Sequence, residues 1–103
     1  MLIVNTENIP GKKYTVLSMV TGISIMTKNA FKDIGSGFRN LVGGEMGTYT
    51  KMLEESKNIA VQKMTEEAAG LGADAIVNVR FSSSSIVQGG AEILVCGTAV
   101  KFD

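Results

Sequence analysis

The stretch from Gly47 to Gly70 constrains the fold most. Tyr49, Met52, Leu53, Ile59, Ala60, Met64, Ala68 and Leu71 recur at spacings of three and four, so they form one apolar stripe along a helix. Lys51, Glu54, Glu55, Lys57, Glu66 and Glu67 fall mostly off that stripe. Thr48 or Thr50 is placed to cap the start, and Gly70 or Gly72 to supply the left-handed residue that ends many helices. Such a stripe has to be covered by a sheet or by another helix. In a chain of 103 residues there is material for one modest core, so a single domain over residues 1–103 is expected.

The cover is predicted to be a sheet. From Tyr14 to Met26 the chain alternates, with Leu17, Met19, Ile23 and Ile25 on one face and Ser18, Gly22 and Ser24 on the other. Ile9-Pro10-Gly11 ahead of it reads as a turn, because proline presets one dihedral and glycine tolerates the positive one that follows. A short strand at Leu2 to Val4 is expected before that turn. Ala75 to Gln88 and Ala91 to Phe102 read as two more strands, joined by Gly89-Gly90 as a tight hairpin loop that would set Gln88 opposite Ala91. With that register, Val77, Val79, Phe81, Leu94, Cys96, Val100 and Phe102 collect on one face, which is read as the core. The other face would carry Asn78, Arg80, Ser82, Ser84 and Lys101, along with Ile86, Ile93, Val95 and Ala99. Its apolar half has no partner in so short a chain, which points to self-association.

A second, shorter helix is predicted over Asn29 to Leu41, where Phe31, Ile34, Phe38 and Leu41 share a side and Gly35 and Gly37 loosen it; Gly43-Gly44 ends it. The expected fold class is therefore α/β in the α+β sense: one two-layer domain, a mainly antiparallel sheet packed by one long and one short helix.

Ten basic and ten acidic residues leave no net charge, so no field gathers phosphates or anionic lipid, and neither nucleic acid nor membrane is an expected partner. No apolar run approaches the roughly 20 residues that a spanning helix needs. Met1-Leu2-Ile3-Val4 is too short for a signal-peptide core, and one cysteine asks for no oxidising compartment, so a cytoplasmic location is expected.

Chemistry has few places to reside. With no histidine the usual neutral-pH base is missing, and the Ser-His and Cys-His arrangements with it. Glu54, Glu55, Glu66 and Glu67 read as a solvated helix face with Lys51–Glu55 and Lys63–Glu67 as pairs, not as a catalytic dyad. Cys96 is one thiol where soft-metal sites draw on three or four ligands, and it is expected in the core; symmetry between copies is the route by which it would ligate. Gly43-Gly44-Glu45-Met46-Gly47 lacks the lysine and hydroxyl of a phosphate loop and reads as a helix stop and turn. Arg39 ahead of it reads as a solvated helix end, with anion binding or a bridge to a neighbouring copy as the alternative. Met19, Met52 and Met64 read as core filling, not a copper(I) site among Met1, Met19, Met26, Met46, Met52 and Met64, and Tyr49 as an anchored aromatic with its hydroxyl at the rim. No catalytic, cofactor-binding or metal residue is assigned.

Several motifs in order carry a resemblance: Val20-Thr21-Gly22, Phe31-Lys32-Asp33, Gly43-Gly44, Tyr49-Thr50-Lys51-Met52-Leu53, the run Ala68-Ala69-Gly70-Leu71-Gly72-Ala73-Asp74-Ala75-Ile76-Val77, and Gly97-Thr98-Ala99-Val100. Together they cover nearly the whole chain and resemble the bacterial YbjQ-like family, which is largely uncharacterised and labelled heavy-metal-binding. The resemblance implies a two-layer α/β subunit assembled as a ring-like homo-oligomer, with five copies. The expectation is a non-enzymatic, self-assembling cytoplasmic protein with a small-ligand site where subunits meet. The alternative is a metal-binding or metal-responsive protein that uses symmetry-related Cys96 or carboxylates.

Overall fold

The computed structural model describes residues 1–27, 45–84 and 90–103. They form β1 (Leu2–Ile3), β2 (Tyr14–Thr27), the helix α1 (Glu45–Gly70), β3 (Ala75–Ser84) and β4 (Gly90–Phe102). The result is one small α+β domain: a four-stranded sheet in the order β1-β3-β4-β2 with α1 on one side. β4 pairs antiparallel with both β2 and β3, and β1 adds to β3 in parallel, so the sheet is mixed. The short helix predicted over Asn29 to Leu41 lies outside the described residues.

Local signals behave as their chemistry requires. Lys12 N–H donates to the Ile9 carbonyl at 3.1 Å across Pro10-Gly11, and Gly11 takes a φ of 78°. At the end of α1 it is Gly72, with a φ of 79°, that turns left-handed. Gly72 N–H donates to the Ala69 carbonyl and Ala73 N–H to the Ala68 carbonyl, the paired bonds of a Schellman stop. The helix begins at Glu45, earlier than the pattern suggested, so Thr50 lies inside it and not at its cap.

The hairpin register departs from the expectation. A two-residue Gly89-Gly90 loop would set Val95 opposite Ser84, whereas Glu92 lies there. Gly90 belongs to β4 instead, because β2 extends far enough for Thr27 to pair with it. β3 also carries a bulge: Val77 faces Thr98 and Arg80 faces Cys96, leaving Asn78 and Val79 together opposite a single residue. Asn78 absorbs the kink with a φ of 56°. The bulge separates Val79 and Phe81 from Val77, so they do not share its face as a regular strand would.

The assignment of core and surface is inverted relative to the sequence reading. The face under α1 is the one with Val20, Gly22, Ser24 and Met26 from β2, Ile93, Val95 and Ala99 from β4, and Ile76 and Val79 from β3. Onto it α1 packs Met52, Ser56, Ala60, Met64 and Ala68, all buried and spaced four apart. Tyr49 and Leu71, expected on that stripe, are exposed at its two ends. Small residues line the strand because the helix comes down onto it: a Cβ at Gly22 would collide with the Ala60 carbonyl. The large alternating residues Met19, Ile23 and Ile25 consequently point the other way.

Candidate functional site

The far face of the sheet is a grid read directly from the strand register. Across β3, β4 and β2 its rows are Ala75, Val100, Val16; Val77, Thr98, Met19; Arg80, Cys96, Thr21; Ser82, Leu94, Ile23; and Ser84, Glu92, Ile25. The first rows are partly covered from within the chain. Val4, Ile9, Tyr14 and Phe102 pack around Ala75, Val77 and Val100, and the Tyr14 hydroxyl donates to the Glu7 carbonyl at 2.6 Å to hold the incoming segment there. Beyond them no described residue forms a layer over the sheet. Met19 is 69% exposed, Ile23 47% and Ile25 61%, an apolar column on an outer strand.

Cys96 is in the middle of this grid, half-buried and free, and not in the helix-covered core where it was expected. The parity explains this: β4 turns its odd-numbered residues to α1 and its even-numbered ones away. Among the described residues no group of three or more histidine, cysteine or acidic side chains could hold a metal. Met19, read as core filling, lies on this exposed face, whereas Met26 and Met52 share a buried cluster and Met64 is fully buried.

The other sequence candidates are scattered. Glu54, Glu55, Glu66 and Glu67 are on the exposed side of α1. Lys51 pairs with Glu54 at 3.7 Å and not with Glu55, and Lys63 reaches the Ile23 carbonyl of β2 at 3.0 Å and not Glu67. Arg39, Gly43 and Gly44 lie outside the described residues, while Glu45, Met46 and Gly47 open α1. Two shallow hollows flank Phe81: one of about 510 Å³ against Ile3 to Thr6, and one of about 320 Å³ beside Leu53, Glu54 and Lys57 of α1. Neither gathers reactive groups. No described helix is long and apolar enough to cross a membrane.

Sequence reasoning overlooked Arg80 and Glu92. They are the charged side chains of the open grid. Arg80 is exposed, and its Nη1 donates to the Asn5 and Val79 carbonyls, both at 2.9 Å. Glu92 is half-buried and, among the described residues, accepts a bond from Ser84 Oγ at 3.2 Å. The bulge at Asn78 hid them, since only after that kink do Arg80 and Glu92 fall on one face.

A UPF0145 protein of Clostridium novyi is 50% identical over 102 residues, which is 99% of each chain. One from Methanosarcina acetivorans is 51% identical over 103 residues, covering 99% of this chain and 97% of the other. A crystal structure of a protein of unknown function from Pediococcus pentosaceus, placed in the DUF74 family, superposes with a TM-score of 0.61 at 21% identity, covering 100% of this chain and 98% of that one, so the fold is shared. The family model described as "Putative heavy-metal-binding" matches residues 1–103, and the chain belongs to this YbjQ-like family.

Proposed function

We propose that this chain is a non-enzymatic, self-assembling α+β protein whose functional surface forms where copies meet on the open face of the sheet. The observation that carries the reading is the exposure of Met19, Ile23 and Ile25 beside Leu94 and Cys96 on a sheet whose opposite face already holds the core. Apolar area of this kind on a folded subunit marks an interaction surface, and a neutral chain has little charge repulsion to keep copies apart. A small ligand would be bound at the subunit junctions. The cytoplasm suits this reading, since a single thiol needs no oxidising compartment. Light scattering over a dilution series tests it. The expected result is an assembly at micromolar concentration; a stable monomer there overturns the reading.

A second reading has its own observation. Cys96 lies on the open face and not in the core, so copies that meet there would bring several thiols together, as soft-metal sites require and as the family's description suggests. Element analysis of the assembled protein and of Cys96→Ser separates the two readings. Stoichiometric zinc or copper that is lost in the variant favours metal binding, and none in either protein, before or after soaking, removes it.

A further inference from the structure

We propose that the open face is oriented against a second copy by an ion pair between subunits, with Arg80 of one copy meeting Glu92 of the next. This rests on the self-assembly reading and specifies the contact. Between the rows of Cys96 and Ile25 every described residue of the open face is uncharged except these two, which have opposite sign. They cannot satisfy each other within one chain. Arg80 is level with Cys96, four residues along β4 from Glu92, which is about 13 Å at strand spacing. Among the described residues neither takes part in an ion pair: Arg80 is held by backbone carbonyls and Glu92 by one serine hydroxyl.

Burying this face without a partner for each charge would leave two desolvated ions, and that cost opposes the gain from covering Met19, Ile23 and Ile25. A second copy carries the complementary charge at the complementary distance. Laid across with its charged positions exchanged, it brings Glu92 to Arg80, covers Ser82 and Leu94 between them, and reaches over the apolar column of β2 alongside. The same exchange sets direction, since a copy laid with like positions together would oppose arginine to arginine.

Light scattering on Arg80→Glu, on Glu92→Arg and on their equimolar mixture tests the pairing, with circular dichroism on each. Each single variant places like charges at the contact, so assembly should weaken on the order of 30-fold or more. Mixing restores opposite charges and should recover assembly to within a few-fold of the unaltered chain, as should the double variant R80E/E92R. Single variants that assemble like the unaltered protein, or a mixture that stays dissociated, overturn the pairing while leaving self-assembly standing. An unaltered protein that is monomeric overturns both, and slow reaction of Cys96 with a thiol reagent in that monomer would show the face to be covered by its own chain.

Discussion

The backbone of α1 at Ala60 rests directly on Gly22 of β2, with no room between them for a side chain. A Cβ added at Gly22 would also come within 2.9 Å of the Met64 nitrogen, so its obstacles are rigid main-chain atoms and not the ends of flexible side chains. Gly22→Ala is therefore expected to lift the helix and cost about 1–3 kcal/mol or more, read as a fall in the urea midpoint. Gly70→Ala, where an added methyl meets nothing within 4 Å, should change stability by no more than about 1 kcal/mol.

Two steps along the same strand, Ser56 Oγ donates to Ser24 Oγ at 3.0 Å in a fully covered position between helix and sheet. Removing either hydroxyl strands the other, at a cost of about 1–3 kcal/mol. Ser24→Ala with Ser56→Ala should cost less than the sum of the single changes, because the orphaned group disappears too. A double-mutant cycle by chemical denaturation checks this, and strict additivity would mean that the hydroxyls do not rely on each other.

Asn78 combines a φ of 56° with a buried amide oxygen that has no hydrogen-bond partner. Glycine accepts that backbone without a Cβ and deletes the orphan, so Asn78→Gly should be neutral or stabilising by up to about 1 kcal/mol. Asn78→Val should be destabilising by more than about 1 kcal/mol, since a β-branched residue resists positive φ. Thermal midpoints of the two variants should move apart.

Met19 and Ile25 project from the outer strand with little to hold them in a single subunit. Met19→Lys with Ile25→Lys should shift subunit stability by about 0.5 kcal/mol or less per site. The same pair of changes should abolish assembly in light scattering. A variant that assembles normally would show that this part of the face is not used.

Much of the architecture is legible because it rests on strong local signals. The Pro10-Gly11 turn, the long helix with its spacing-four seam and the Gly72 stop all appear where side-chain chemistry places them. The faces were not legible, for two physical reasons. First, a close helix–strand contact selects small residues, so it is the face of Gly22 and Ser24 that lies beneath the helix, while Met19, read as core filling, lies outside it with Ile23 and Ile25 of its own face. Second, pairing across a hairpin follows from the loop, and Gly90 turned out to be strand, drawn in by Thr27. Of the candidate site, Cys96 was visible as a lone thiol but its placement was not. Arg80 and Glu92 were ordinary surface residues until the register put them on one face.

The extra residue at Asn78 and Val79 acts as a parity switch within β3. Upstream of it odd-numbered residues look away from the helix, and downstream the even-numbered ones do. Deleting one residue there would regularise the ladder and leave Arg80 opposite Cys96, whereas straightening the strand with every residue kept would turn Arg80, Ser82 and Ser84 towards α1 and send Phe81 outward. In a relative of equal length that lacks the kink, the downstream half of β3 would exchange its two sides even if every other letter were the same.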